Sequence, residues 1–144
     1  MPAKDIFHDT VKNALINDGW TIIDENYTLE YEGDKVYADL AAEKIFAVEK
    51  QEQKIIVEVK SFLGRSFISD LESAIGQYIL YRDILCETGS PFQIYLAVSK
   101  GVYEGGFQKK LAQMLLKRNQ VNLLVFDANT EVIEQWISQV TIAT

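Results

Sequence analysis

Three β-rich runs follow one another in the first half of the chain, and their close spacing constrains the fold more than any other feature. They cover residues 36–42, 44–49 and 54–60, and only short polar segments separate them. Two shorter runs, at residues 20–23 and 27–31, precede them with a period of two. Strands joined by short turns pair antiparallel, so this half of the chain predicts an antiparallel meander.

Predicted helices lie before and after these strands, in segments where apolar residues recur every three or four positions. The predicted helices cover residues 5–18, 69–87 and about 106–118. Two more strands are predicted at residues 92–98 and 121–126, and residues 132–137 fit either a strand or a short helix. Ser69 is the predicted N-cap of the second helix, since Glu72 three residues later completes a capping box.

This order of elements, α-β-β-β-α-β-α-β, predicts a single α/β domain over residues 1–144, with a mixed central sheet flanked by helices. The length of 144 residues is close to the prior of about 150 per domain, and 48% hydrophobic residues suffice for a core. No apolar stretch approaches the roughly 20 residues that cross a bilayer. We therefore expect a soluble, cytoplasmic protein that binds no membrane. Its single cysteine, Cys86, is expected to be buried and inert.

The charge balance restricts how this chain can meet nucleic acid. It has 14 Lys and Arg against 21 Asp and Glu, a formal charge of −7. Non-specific binding to DNA comes from neutralising phosphates with basic side chains, so the composition excludes a protein that coats DNA. A local basic groove remains open, and we expect DNA contact at Lys60, Arg65 and Arg82. The basic residues of the third predicted helix are expected to form a solvated face: Lys109, Lys110, Lys117 and Arg118.

A candidate chemical site is built from Asp39 and the strand that carries Glu58 and Lys60. Alternate side chains of a strand share a face, so Glu58 and Lys60 point to one side, away from Val57 and Val59. An aspartate on a neighbouring strand would add a second carboxylate, and two carboxylates with water suit Mg²⁺. The lysine would orient the attacking water or stabilise charge on a phosphate. The alternative is an edge strand with a solvated face, on which Asp39 is an ordinary exposed residue.

These residues resemble the core motif of the PD-(D/E)xK nucleases. Asp39 and the segment Glu58-Val59-Lys60 match the motif, and Ala38 stands where the family has its first proline. In the helix that follows, Gln77 and Tyr81 match the Gln-x-x-x-Tyr element of the branch related to the RecB nuclease domain. They lie one turn apart and share a face. Without the resemblance, a core tyrosine and a surface glutamine would explain them.

The resemblance implies a restriction-endonuclease-like α-β-β-β-α-β core and a metal-dependent hydrolysis of phosphodiester bonds. Asp39 and Glu58 would bind Mg²⁺ or Mn²⁺, and the carbonyl of Val59 would be a further ligand. Lys60 would position the water. Gln77 and Tyr81 would support the lysine or the phosphate.

At a finer level the whole chain resembles the XisH family, the fdxN-element excision controlling factors of cyanobacteria. The match lies in four blocks: MPAKDIFHD at residues 1–9, VEVKSFLG at 57–64, AIGQYILYR at 74–82 and IYLAV at 94–98. It extends to about Ile137. It implies a role in programmed, site-specific excision of a DNA element, beside a site-specific recombinase and a second small controlling factor.

Three functions stay open at this point. The first is a DNA endonuclease, which we expect to form a homodimer, because one such site cuts one strand. The second is a non-catalytic accessory protein that uses the same fold to bind a partner or direct the recombinase. The third is a toxin–antitoxin-like pair in which the partner holds a nuclease in check.

His8 is the only histidine of the chain. Resolvase-like members of the nuclease superfamily carry a metal-holding glutamate on the first helix, and His8 lies at about that position. It is therefore a candidate metal ligand, phosphate contact or pH-sensitive base. The alternative is a helix histidine bonded to a neighbour. Asp5 and Asp9 are adjacent candidates if the position requires an acid.

Overall fold

A six-stranded mixed sheet forms the centre of the protein in this computed structural model, which describes residues 4–46 and 51–139. The order of the strands in space follows the chain: β1 Thr21–Tyr31, β2 Asp34–Phe46, β3 Gln51–Val59, β4 Gln93–Ser99, β5 Leu123–Asp127 and β6 Val132–Ile137. The first three strands pair antiparallel, so a meander forms as predicted, but its strands are β1, β2 and β3 and not the three runs predicted from residue 36 onward. The β3, β4 and β5 strands are parallel, and β6 returns antiparallel.

Helices cover both faces of this sheet, which confirms the predicted α/β architecture. Those in the described part of the chain are α1 His8–Asn17, α2 Phe67–Glu87, α3 Lys100–Glu104 and α4 Lys110–Arg118. The α1 helix packs on one face through Val11 and Leu15. The α2 and α4 helices pack on the other face, through residues such as Tyr78 and Leu116. None of these helices has the length and apolar character to cross a membrane.

Several predicted strands join into longer ones. The runs at residues 20–23 and 27–31 form β1, whose register shifts between Ile22 and Asp24. The runs at 36–42 and 44–49 merge into β2, and residues 47–49 of that prediction lie outside the described residues. Residues 132–137 form a strand because they pair with β5. Pairing with a neighbouring strand keeps the backbone extended even at positions of low β-propensity, so separate predicted runs form one strand.

The helix predicted over residues 106–118 is wrong in its first part. A separate helix, α3, begins after Ser99, whose hydroxyl accepts the backbone N–H of Val102 at 3.3 Å. A 3₁₀ turn, Gly106–Gln108, then precedes α4. A Cβ atom on Gly106 would lie 2.4 Å from the ring of Phe67, so the turn packs directly against the start of α2.

The α2 helix differs from its prediction near both ends. Ser66, not Ser69, is the N-cap, because its hydroxyl accepts the backbone N–H of Ser69 at 3.1 Å. At the other end Cys86 is exposed, so the prediction of a buried thiol is wrong. The preceding residue, Leu85, is buried. Successive residues of a helix point about 100° apart, so the chain turns Cys86 away from the core.

An opening forms in the sheet where β2 leaves β3. The antiparallel ladder between these strands ends at the pair of Leu40 and Val57. Beyond that pair, β3 continues beside β4 through Glu58 and Val59, whereas the first residues of β2 pair only with β1. Asp39 and Glu58, the next residues on the two strands, therefore lie at the edge of this opening.

Candidate functional site

A cleft of about 600 Å³ lies at the opening between β2 and β3. Its walls come from the start of α1, the strands β1 to β3 and the middle of α2. All of the residues predicted to carry catalysis or bind a metal line it: His8, Asp39, Glu58, Val59, Lys60, Gln77 and Tyr81. The structure thus brings together residues that are up to 73 positions apart in the sequence, from His8 to Tyr81.

Asp39 holds the two separating strands together through its side chain. Its Oδ2 accepts the backbone N–H of Val59 at 2.7 Å, just beyond the last ladder pair of β2 and β3. A carboxylate therefore takes the place of the backbone carbonyl that a continuing ladder would supply. This contact fixes the Asp39 carboxylate beside Glu58.

Glu58 is the most perturbed acid of the cleft. It is only 5% exposed, and its Oε2 is buried without a hydrogen-bond partner among the described residues. Burial, together with the neighbouring Asp39 carboxylate, raises the pKa of Glu58 to about 10. The positive charge of Lys60 opposes this shift. A buried carboxyl with an orphaned oxygen is costly unless a cation or donor compensates it.

Lys60 lies directly after β3, and contacts on both sides fix the backbone around it. Its own N–H donates to the carbonyl of Ala97 at 3.2 Å. The next N–H, of Ser61, donates to Oδ2 of Asp5 at 2.9 Å, and Oδ1 of Asp5 accepts the N–H of Phe7 at 2.9 Å. Asp5 therefore ties the start of α1 to the loop after β3. The Lys60 ammonium forms no ion pair within the described chain, and it lines the cleft.

Gln77 and Tyr81 project from α2 into the same cleft, one helical turn apart. The Tyr81 hydroxyl donates to the carbonyl of Tyr37 on β2 at 3.2 Å. Burial raises the pKa of Tyr81 well above its usual range, and the charges of Glu58 and Asp39 add to the shift. The Oε1 atom of Gln77 is buried and, like Oε2 of Glu58, has no partner among the described residues.

His8 is also buried, at 3% exposure, and a carboxylate fixes its ring. Its Nε2 lies 2.8 Å from Oε1 of Glu25, and the Lys12 ammonium donates to the other oxygen of Glu25 at 3.0 Å. These hydrogen bonds, that of His8 first, hold the pKa of Glu25 below its ordinary value of 4.5. Since Glu25 accepts a hydrogen bond from the Nε2–H group, the neutral ring keeps a lone pair on Nδ1. That Nδ1 atom is buried without a partner in the described chain.

Sequence reasoning missed Glu25. It stands in the gap between the two predicted runs that form β1, so no strand placed it near a predicted site residue. An unbroken strand over residues 21–31 would have supplied the missing signal, because Glu25 pairs with Leu40, the neighbour of Asp39.

Some predicted contacts lie elsewhere. Arg82 does not join Lys60 in one groove, because it lines a different cleft. A DNA contact at Arg82 stays a prediction. Arg65 is exposed on the loop after β3. Asp9 is exposed beside Lys4, with 3.8 Å between carboxylate and ammonium, but its carboxylate stays near the site, because ligand atoms of His8, Asp9 and Glu25 lie within 4.8 Å of one another. Asp5 lines the first cleft and is occupied by two backbone N–H groups.

The donor atoms of the cleft fit a hard divalent cation. The Asp39 and Glu58 carboxylates and the Val59 carbonyl supply oxygen, which Mg²⁺ and Mn²⁺ prefer. The Oε2 atom of Glu58 is available to such an ion, because it is buried and has no hydrogen-bond partner among the described residues. The imidazole Nδ1 of His8 would be a softer nitrogen donor.

Comparisons with known proteins converge on one family. The family model described as XisH protein matches residues 1–134. A crystal structure of an XisH family protein from Nostoc punctiforme PCC 73102 is 40% identical, with a TM-score of 0.83, over 92% of this chain and 99% of that chain. A fdxN element excision controlling factor protein from Anabaena variabilis is 42% identical, with a TM-score of 0.84, over 93% and 99% of the two chains. No curated protein matches the chain significantly.

Proposed function

This chain belongs to the XisH family, and from that premise we propose that it controls the excision of a DNA element, the role named for its Anabaena variabilis relative. We propose further that it does so as a metal-dependent endonuclease that hydrolyses phosphodiester bonds. Its DNA substrate would enter the cleft between β2 and β3.

The environment of Glu58 carries the proposal of catalysis. A buried carboxyl with an orphaned oxygen, beside a second carboxylate, destabilises a fold unless something binds there. Asp39 has a structural contact, the N–H of Val59, but no contact among the described residues compensates the buried Oε2 of Glu58. A divalent cation would compensate both carboxylates and would explain why the lysine remains unpaired next to them.

Each residue of the cleft then has a role that follows from its position. When bound, the metal ion would supply Lewis-acid activation of the phosphate and of water. Asp39 and Glu58 would hold it, with the Val59 carbonyl as a further ligand. The Lys60 ammonium would orient the attacking water and stabilise charge on the phosphate. The side chain of Gln77 would bind the phosphate or Lys60, and Tyr81 would fix the position of β2 through Tyr37.

A nicking assay tests the enzyme. The purified chain is incubated with supercoiled and branched DNA and with Mg²⁺ or Mn²⁺, alongside Asp39→Asn, Lys60→Ala and a matched control, Lys110→Ala, on the exposed surface of α4. We expect metal-dependent nicking by the wild type and the control, and losses of about 100-fold or more in both site variants. If the wild type leaves DNA intact in every condition, with and without partner proteins, the enzyme proposal is wrong.

A non-catalytic accessory role is the second candidate, and the charge of the cleft favours it. The three lysines that line the cleft (Lys4, Lys35 and Lys60) face four carboxyl groups (Asp5, Glu25, Asp39 and Glu58), and the chain carries −7 overall. The cleft therefore has no excess of basic groups with which to bind DNA without a cation or a partner. In this role the chain would bind the second controlling factor or the recombinase. If Asp39→Asn still supports excision in cells and still forms a stoichiometric complex with that factor, the accessory role replaces the enzyme.

Double-strand cleavage requires two sites, so we propose a homodimer for the catalytic form. Sedimentation of the protein with and without DNA measures this directly. A monomer under both conditions would restrict the proposed activity to nicking.

A further inference from the structure

A second cleft, of about 760 Å³, lies at the opposite end of the sheet from the first. The first cleft forms where β3 ends, whereas this one forms where the parallel strand β4 begins. Its walls are the C-terminal half of α2, the start of β4 and the segments that follow α4 and β6. Volumes of about 300–1,000 Å³ are typical of sites for small molecules.

The charge of this cleft is positive, whereas the chain as a whole is negative. Two arginines line it, Arg82 and Arg118, and its described lining contains no Asp or Glu. The lining also has four carboxamides and three hydroxyls: Gln93, Asn119, Gln120, Asn122, Tyr78, Ser90 and Ser138. In a protein with a charge of −7, this lining selects for anions and supplies both donors and acceptors around them.

Arg82 is held in place before any ligand arrives. Its Nη1 donates to the carbonyl of Asn119, and its guanidinium carbon lies 5.6 Å from the centre of the Tyr78 ring. Its Nε is 3.9 Å from the carboxylate of the neighbouring Asp83, too far for a strong ion pair. A guanidinium has five N–H donors, so several remain for a ligand.

The floor of the cleft is equally fixed. The Tyr78 hydroxyl accepts the N–H of Asn122 at 2.9 Å and donates to the carbonyl of Ile94 at 3.3 Å. The Oδ1 of Asn122 accepts the N–H of Gln139 at 3.2 Å. A binding surface that is already ordered loses little conformational entropy when a ligand binds.

We propose that this second cleft binds a small phosphate ester of about nucleotide size, held by Arg82 and Arg118. The two guanidinium groups come from different elements, α2 and the end of α4, and both line the cleft. The tetrahedral oxygens of a phosphate can accept from both groups at once, whereas a planar carboxylate matches a single guanidinium fork. Arg118 forms no ion pair within the described chain and is available for this contact.

The second cleft adjoins the first through α2, so its proposed ligand would act as an effector of the first cleft. Gln77 and Tyr81 line the first cleft, and the residues next to them on α2, Tyr78 and Arg82, line the second. A ligand that binds Arg82 would therefore contact the same two turns of α2 that carry Gln77 and Tyr81. This effector role rests on the proposed function of the first cleft, whereas binding itself does not.

Cys86 provides a native probe, because this single cysteine is exposed and lines the second cleft. The rate at which its thiol reacts with the uncharged reagent 4,4′-dithiodipyridine is measured against increasing inorganic phosphate, AMP or ATP. Sodium acetate and sodium chloride at matched ionic strength are the controls. We expect a saturable slowing by the phosphate compounds, no slowing by acetate, and a dissociation constant raised about tenfold or more in Arg118→Gln.

Lys110→Gln is the matched variant, since it removes one positive charge from α4 outside the cleft. It should leave the dissociation constant unchanged. The proposal is overturned if phosphate compounds do not slow the thiol reaction, if acetate slows it equally, or if Arg118→Gln and Lys110→Gln behave alike. Calorimetry on Cys86→Ser measures the same binding without the thiol. Because none of these measurements uses DNA cleavage, they separate a failure of this proposal from a failure of the nuclease proposal.

Discussion

The Asp39 carboxylate accepts the backbone N–H of Val59 at 2.7 Å, where the ladder between β2 and β3 ends. One side chain thus completes the sheet and presents a carboxylate to the cleft. The two roles make different demands. Holding the Val59 N–H requires an acceptor oxygen, whereas binding a cation requires negative charge.

Substitutions at Asp39 separate these roles. Asp39→Ala leaves a buried N–H without an acceptor, so we expect the free energy of unfolding to fall by about 1–3 kcal/mol. Asp39→Asn keeps an acceptor oxygen, so its free energy of unfolding should lie within about 1 kcal/mol of the wild type. Urea denaturation in EDTA measures both. Binding of Mn²⁺, measured by calorimetry, should weaken in both variants, and an Asn variant that binds Mn²⁺ like the wild type would remove Asp39 from the metal site.

Glu58 makes the metal-free protein less stable as the pH rises. Its folded-state pKa is about 10 against an ordinary value of 4.5, so between these values the folded protein holds a proton that the unfolded chain releases. The free energy of unfolding therefore decreases with pH across this window. Glu58→Gln removes the effect, and at pH 7 in EDTA we expect it to be about 1–3 kcal/mol more stable than the wild type.

The control for Glu58→Gln is the same comparison of wild type and variant at low pH. Below pH 4.5 both states of the wild type are protonated at Glu58, so the difference between the proteins should disappear there. Thermal unfolding at pH 4 and pH 8 measures it. Added Mn²⁺ should raise the melting temperature of the wild type and not that of the variant. An equal difference at both pH values would contradict the buried, neutral state of Glu58.

The parts of the site that the sequence predicted are those that depend on local patterns. Glu58 and Lys60 were recognised because strand alternation places them on one face. Gln77 and Tyr81 were recognised through the resemblance to a nuclease motif, and they share a face because they lie one helical turn apart. Glu25 escaped recognition because its role depends on a contact between α1 and β1, and nothing within β1 marks it. Long-range contacts of this kind have no signal in a single sequence.

Helix geometry explains the predictions that were wrong on α2. Tyr81 and Arg82 are neighbours in sequence, but about 100° of rotation separates them, so they face different clefts. Cys86 fell in an apolar stretch, but it follows the last buried residue of α2, Leu85, and points outward. The apolar pattern predicted that this segment is a helix. It did not determine how the helix is rotated about its own axis, which decides the side chains that face the sheet.

Gly106 is required for the packing of the turn before α4. A Cβ atom there would lie 2.4 Å from the Phe67 ring, which also packs edge-on against Phe107 at 5.5 Å between ring centres. We expect Gly106→Ala to lower the free energy of unfolding by about 1–3 kcal/mol, because the ring must move out of a packed aromatic cluster. Gly101→Ala is the matched control. An added Cβ there meets nothing within 4 Å, and alanine in α3 should leave stability unchanged or raise it by up to about 1 kcal/mol. Equal effects of the two substitutions in urea denaturation would show that the contact with Phe67 is unimportant.

Glu25 determines which nitrogen of His8 carries the proton. The 2.8 Å contact between Nε2 and Oε1 of Glu25 requires a donor on Nε2, so in the neutral ring the proton should lie there and leave Nδ1 bare. Nitrogen NMR of the ring at pH 8 distinguishes the two tautomers, and we expect the Nε2–H form in the wild type. In Glu25→Ala this preference should be lost. Lys12→Ala removes the other partner of Glu25 without touching the ring, so it should keep the tautomer. A wild-type ring protonated on Nδ1 would exclude that atom as an acceptor or metal ligand in the cleft.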